Sequence, residues 1–327
     1  MSGRVELLRL LADGALHSGE ELAAALAVSR AAVWKRLQQL EEWGIAFEAL
    51  PGRGYRLEAP IDLLDAAGIR AALPQGTRGQ LRHLEVHETL ESTSDRLLAV
   101  DDLPPGRIDA CLAEFQNAGR GRRGRRWIAP FASGLCLSLN WSYRDAPATL
   151  GALSLAAGVA ALRALDRLGV SGLALKWPND IVLGDRKLGG ILIDLRGEAA
   201  GPAYVVVGIG INMRLPESTR VRLATEGVNA VDLASIGTAP SRNALAAALI
   251  AELSSALSEY GARGMAAFAD EWQGADALAG RTVAVLHGGQ VLEGRACGVD
   301  ADGALLLGIG GTMRRIVSGE VSVRPVG

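Results

Sequence analysis

The chain is short of several things. It has three cysteines, Cys111, Cys136 and Cys297, widely spaced, odd in number and without a CxxC pair. That excludes a disulfide framework and a cysteine zinc site, and predicts three small buried hydrophobes in a reducing compartment. It has almost no net charge: 34 Lys and Arg against 36 Asp and Glu leave −2, so any basic site is local. It has no apolar run long enough for a membrane span. The opening MSGRVELLRLLADG is broken by charges and too short for a secretory leader, which reads as cytoplasmic. No GxxxxGK[ST] pattern is present, which excludes a P-loop. No Ser–His or Cys–His arrangement suggests an enzyme nucleophile, and no repeat or low-complexity stretch interrupts the chain.

What is present falls into three textures. The length of 327 residues allows two or three domains. Residues 1–60 read as three short helices and a hairpin. Val5, Leu7, Leu8, Leu10 and Leu11 make the first helix, ended by Asp13-Gly14. Ser18-Gly19-Glu20-Glu21 is a capping box opening the second, which runs to about Leu26. Ser29 caps a third, in which Val33, Leu37 and Leu40 recur on one face. Two short strands, Ile45–Ala49 and Tyr55–Leu57, flank Pro51-Gly52-Arg53-Gly54. This is the pattern of a winged helix-turn-helix. The third helix exposes Arg30, Trp34, Lys35 and Gln38, and Arg53 rides on the wing. Such a face fits a major groove with the wing near phosphates. It also fits a solvated face of a protein-binding module, and the turn spacing favours DNA.

Residues 61–275 read as mixed α/β, opened by a connection over Glu58–Leu64. Expected strands are Ala110–Phe115, Leu135–Trp141, Ile181–Leu183, Ile191–Leu195 and Val205–Ile211. Expected helices are Ser92–Ala99, Ala148–Leu168, Arg242–Tyr260 and Gly264–Trp272. Residues 276–327 change to short strands divided by glycines: Thr282–Leu286, Val291–Val299, Ala304–Leu307, Met313–Val317 and Val321–Arg324. That spacing predicts a small β-barrel.

Four segments in the middle carry chemistry. Gly119–Arg126 packs five arginines and three glycines into eight residues. Glycines let backbone approach a ligand, and arginine forks grip phosphate or carboxylate. So charged a loop is expected to be mobile alone and ordered by an anion. On its own it reads equally as a surface basic loop or a nucleic-acid contact. Lys176-Trp177-Pro178-Asn179-Asp180 puts a lysine at a strand end before a fixed corner. There it can sit between two anions, or simply lie over Trp177. Glu91–Asp95 places hydroxyls at a helix start, to bind a polar ligand or to cap. Gly208-Ile209-Gly210-Ile211-Asn212 is a glycine-punctuated strand open to a flat ring or to a packed helix.

Taken in order, ESTSD, EFQNAGRGRRGRRW, KWPNDIVLGDRKLGGILID and GIGINM resemble the biotin–protein ligases. SRAAVWKRLQQLEEWG with PGRGYRL resembles the DNA-binding part of the members that are both ligase and biotin-operon repressor. The resemblance covers nearly the whole chain and implies an SH3-like barrel at the C-terminus. It implies MgATP and biotin as substrates, biotinyl-5′-AMP as intermediate and corepressor, and no permanent cofactor or resident metal. It implies biotin carboxyl carrier protein, operator DNA and a second copy of the chain as partners.

By the same resemblance Ser92, Thr93, Ser94 and Gln116 hold biotin, and Arg120, Gly121 and Arg122 close over it. Lys176 bridges the biotin carboxylate and the α-phosphate, with Arg122 as its catalytic companion. Arg122, Arg123, Trp127, Asn179, Asp180, Lys187 and Asn212 serve ATP and the adenylate. Ser29, Arg30, Trp34, Lys35, Gln38 and Arg53 serve DNA. At Ser94 the family carries asparagine, so this shorter hydroxyl is expected to keep a cap role and lose an amide contact. Three other readings fit parts of the pattern: a ligand-sensing regulator without ligase activity, a ligase with a vestigial DNA domain, and a lipoate ligase.

Overall fold

The computed structural model describes residues 3–144, 150–197, 202–237, 239–287, 290–317 and 322–325. The first element is α1 (Gly3–Leu11), followed by α2 (Gly19–Ala25) and α3 (Arg30–Glu41). The Ser18–Glu21 capping box forms in full, and Ser29 caps α3 through the Ala32 N–H. Each such cap contributes about 1 kcal/mol. Leu7, Leu8, Leu11, Val33, Leu37 and Leu40 have no exposed surface and meet at the centre of the module. The wing is β1 (Phe47–Leu50) against β2 (Gly54–Leu57). Its root is tied back to the turn before α2 by paired bonds between His17 and Tyr55. A Cβ on Gly54 would lie 2.1 Å from the His17 carbonyl oxygen, so only glycine fits there.

The module is fixed to the central part of the chain. Trp43 stacks on Phe131, centroids 4.2 Å apart and rings parallel within 1°. Arg242 and Glu114, both nearly fully buried, pair at 2.6 Å. Around them Glu114 accepts from the Leu64 N–H, and Arg242 donates to the Asp62 carbonyl. The expected connection over Glu58–Leu64 is therefore a clamped segment.

The central part begins with α4 (Ala66–Ala72), α5 (Gln75–Gln80), β3 (Leu81–Leu90) and α6 (Thr93–Leu98). There follow β4 (Ile108–Gln116), β5 (Gly134–Tyr143), α7 (Leu153–Asp166), β6 (Ala174–Lys176) and β7 (Asp180–Leu183). Then come β8 (Arg186–Gly197), β9 (Ala203–Asn212), α8 (Glu217–Thr225), α9 (Arg242–Arg263) and α10 (Ala269–Ala275). The strands form one mixed seven-stranded sheet in the order β3-β4-β5-β9-β8-β7-β6. Leu137, Leu139, Ile209 and Ile211 belong to the core shared with α7 and α9. By strand alternation Cys136, Ser138, Gly208 and Gly210 face the other way, where α6 lies across the sheet. A Cβ on Gly208 would come within 2.7 Å of Ser94 Oγ on that helix.

All the expected central elements are present, with shifted ends. The expected helix Ala148–Leu168 begins in residues outside the described set, and α7 starts at Leu153. The expected Gly264–Trp272 helix is a 3-10 turn over Gly264–Ala267 followed by α10.

The C-terminal part is β10 (Thr282–His287), β11 (Gln290–Val299), β12 (Leu305–Ile309), β13 (Thr312–Ile316) and β14 (Ser322–Pro325). The expected start of the last strand, Val321, lies outside the described residues. The five strands form an antiparallel sheet ordered β13-β12-β11-β10-β14. It docks on the core through the Trp177 indole N–H, which donates to the Gly303 carbonyl at 2.9 Å. Of the three cysteines, Cys111 and Cys136 are buried and Cys297 is exposed. Cys297 departs from expectation because it lies on the outward side of β11. Among the described residues no helix is long and apolar enough to cross a membrane.

Candidate active site

The face beneath α6 is paved with small residues. In register across it, Asp180 pairs with Gly190, Gly190 with Gly210, and Gly210 with Cys136. The neighbouring row runs Leu192, Gly208, Ser138 and Cys111. The Trp127 indole lies against Gly210, where a Cβ would sit 2.4 Å from the ring. Its buried N–H lies by the Cys136 thiol, a weak acceptor, and makes no bond to oxygen or nitrogen among the described residues.

At one end of this floor is a hydroxyl–amide cluster. Gln116 Oε1 accepts from the Thr93 backbone N–H at 2.8 Å and from its hydroxyl at 3.2 Å. Ser138 Oγ lies 2.8 Å from Thr93 Oγ1 and 3.0 Å from Ser94 Oγ. Ser92 caps α6, its hydroxyl oxygen accepting from the Asp95 N–H and its hydrogen left to donate. The expectation that Ser94 keeps a cap role is thus corrected: Ser92 fills that position, and Ser94 packs into the cluster beside Gly208. Ser138 was not singled out in the sequence. Its signal was there in LCLSLN, where apolar residues alternate with Cys136, Ser138 and Asn140.

The arginine–glycine loop folds back on itself above the floor. Gly121 N–H donates to the Arg125 carbonyl at 2.7 Å, and Trp127 N–H to that of Gly119 at 2.9 Å. The tip is a 3-10 turn with Arg123 exposed in the left-handed region, φ 58° and ψ 39°. A non-glycine residue held there costs of order 1 kcal/mol. Arg120 reaches Asp194 and Asp95. Arg122 is half-buried. Desolvation, with Arg123 and Arg125 nearby, holds its pKa below the usual arginine range, while Asp180 opposes the shift.

Lys176 ends β6 at the other end of the floor, opposite Asp180. A cis Trp177–Pro178 bond turns the chain between them. Burial lowers the Lys176 pKa below the 10.5 of an ordinary lysine, and Asp180 and Asp185 partly offset this. Lys187 Nζ sits 2.5 Å from Asp180 Oδ1. Asn179 gives its amide N–H to the Ile191 carbonyl at 2.7 Å, bracing β7 against β8. Asn212 is buried, and its amide donates to the Val231 carbonyl at 3.0 Å. With strands about 4.8 Å apart, four steps separate the Lys176 strand from the Cys136 strand by about 19 Å. That span suits a lysine arm meeting an elongated acid whose head lies on the hydroxyls.

The helix face is placed as expected. Arg30, Trp34, Lys35, Gln38 and Arg53 are exposed, and Ser29 is an exposed cap. Trp34 also leans on the wing, 6.1 Å from Phe47 and 6.0 Å from Tyr55 between ring centres.

Residues 88–212 match the Biotin/lipoate A/B protein ligase family, 5–56 the HTH domain, and 279–324 the Biotin protein ligase C terminal domain. The bifunctional ligase/repressor BirA of Escherichia coli (strain K12) is 40% identical over 321 residues, 98% of this chain and 97% of that one. The chain belongs to the bifunctional biotin ligase/repressor family. A biotin–[acetyl-CoA-carboxylase] ligase of Mycobacterium tuberculosis is 34% identical over 274 residues, covering 81% of this chain and 97% of the relative. A biotin protein ligase from Aquifex aeolicus, solved with biotin and ATP, superposes with a TM-score of 0.61. It is 26% identical and covers 76% of this chain and 99% of its own.

Proposed function

We propose that the chain forms biotinyl-5′-AMP from biotin and ATP and transfers biotin to a lysine of the biotin carboxyl carrier protein of acetyl-CoA carboxylase. As a DNA-binding dimer it represses biotin biosynthesis genes. The observation that carries the ligase reading is the floor itself. One run of small residues joins the Thr93–Gln116–Ser138 cluster to Lys176 beneath the arginine loop.

The ureido head of biotin rests on Ser92, Thr93, Ser94 and Gln116, with Ser138 behind them. Its tail runs toward Lys176. A carboxylate oxygen attacks the α-phosphorus of ATP, the P–O bond to the β-phosphate breaks, and pyrophosphate leaves. Lys176 and Arg122 offset the charge of two anions brought together. Mg²⁺ enters as part of MgATP. Arg123, Asp180 and Lys187 lie on the phosphate side. Trp127 covers the adenine. Asn212 has its amide nitrogen committed to Val231, so its oxygen accepts from the exocyclic amine of adenine. Asn179 acts by bracing the corner that carries Lys176. Arg120 and Gly121 keep the loop closed against water. The carrier amine then attacks the acyl carbon, loses its proton and forms an amide as AMP leaves.

We divide the chain into a DNA-binding domain over 1–60, a catalytic domain over 61–275 and an SH3-like barrel over 276–327, and place it in the cytoplasm with its carrier and operator. A homodimer is supported by β8. Among the described residues β7 pairs only with its first half, so the strand past Ile191 has β9 alone as neighbour and leaves Leu195 half-exposed. Ser29, Arg30, Trp34, Lys35, Gln38 and Arg53 face the operator. A purified carrier domain incubated with the chain, biotin and ATP should gain one biotin. A gel shift on the biotin-gene promoter should tighten with both ligands. No label on the carrier overturns the ligase reading. An unchanged shift leaves a ligase with a vestigial DNA domain.

A further inference from the structure

Sequence alone puts Arg120 in the loop but assigns no residue to receive it. In the structure its guanidinium spans two walls of the site. The two terminal nitrogens donate to the two oxygens of Asp194 on β8, at 3.2 and 2.9 Å. One of them also lies 2.7 Å from Asp95 on α6. Asp95 follows the pocket hydroxyls Thr93 and Ser94 directly, and Asp194 lies two residues past Leu192 on the ligand face. One fork therefore joins the loop, the helix that carries the biotin-facing hydroxyls, and the sheet. The Asp194 side chain is 19% exposed and that of Arg120 36%, so this pair is partly shielded, whereas Asp95 at 52% stands open to water. Planar bidentate geometry adds direction to the contact. Two carboxylates on one guanidinium leave a residual negative charge beneath the four other arginines of the loop.

We propose that Asp194 and Asp95 are positioning residues that seat Arg120 across the pocket mouth and set how fast the acyl adenylate escapes. This rests on the ligase reading above and adds a release step to it. Lifting the loop breaks all of Arg120's contacts together, whereas adenylate formation depends on Lys176 at the far end of the floor. Formation and retention are then separable, and neither aspartate touches the reacting atoms.

The test uses the full chain with D194N, D95N and both together. Single-turnover formation of biotinyl-AMP is compared with its release after dilution into excess unlabelled ligand. Formation should stay within about twofold of wild type. Release should rise about threefold in each single variant and about tenfold in the double. D194E should restore slow release. In an R120A background the same substitutions should add nothing. Release at the wild-type rate in D95N/D194N overturns the inference while leaving the ligase reading intact. So does full additivity on R120A, or formation falling in step with thermal stability. A wild-type chain that forms no biotinyl-AMP overturns the ligase reading and this inference with it.

Discussion

The DNA-binding module and the ligand face are built in opposite ways. The module buries Leu7, Leu37 and Leu40 and leaves Arg30, Lys35 and Gln38 exposed along one helix, close in sequence. Its caps and turns are local. The candidate ligand face draws Thr93, Gln116, Ser138, Lys176 and Gly210 from five elements, and the side chains of the first three bond to one another. An exposed face tolerates change at one position with a local loss. A face whose parts bond to each other does not, because removing one part leaves another unsatisfied or misplaced.

The largest expected effect is at Lys176. Lys176→Ala should lower pyrophosphate exchange by about 1,000-fold or more, the scale of a lost charge-stabilising group, and leave promoter binding by the unliganded module unchanged. Gly210→Ala should follow. Its Cβ would lie 2.4 Å from the Trp127 ring, displacing the indole. An ATP KM raised roughly 10–100-fold, in an assay of adenylate formation, would match misplacement of this kind. On the other side of the comparison, Arg30→Ala or Lys35→Ala should weaken operator binding about tenfold each and reduce its salt slope by about 1, with carrier labelling unchanged. A loss of labelling in either variant would break the distinction between the two faces. Ser138→Ala should be smaller still, a destabilisation of about 1–3 kcal/mol in a urea titration with a raised KM for biotin.

Lys176 also gives a pH signature. Burial lowers its pKa from 10.5, so the folded chain binds the proton less tightly than the unfolded chain does. Folding is therefore penalised at every pH below the lowered value, and the penalty fades as pH rises through it toward 10.5. Lys176→Met should raise the Tm at pH 7, with a gain that shrinks toward alkaline pH. A constant gain across that range would point to packing alone.

Local chemistry explains which parts were legible in the sequence. The Ser18–Glu21 box, the Ser29 cap and the alternating strands each involve residues close in sequence, so the winged helix and the sheet strands could be expected. The strand Leu81–Leu90 escaped because charged residues share its faces. The C-terminal strands were expected as a small barrel, and among the described residues they form a five-stranded sheet with β13 and β14 at its edges. The site was legible as separate segments. Ser138 was hidden because a serine between leucines reads as ordinary alternation until Thr93 and Ser94 are seen opposite it. Asp194 and Asp95 were hidden because their significance lies in a single arginine 74 and 25 residues from them in sequence. The Trp43–Phe131 stack and the Arg242–Glu114 clamp join segments far apart in the chain, and no spacing announces them.

The most direct measurement is the product itself. The full chain, incubated with biotin and α-labelled ATP, should accumulate labelled biotinyl-AMP and release pyrophosphate in equal amount, and Lys176→Ala should yield neither. Adenylate formed equally well by that variant, or absent from the wild type, would contradict the account.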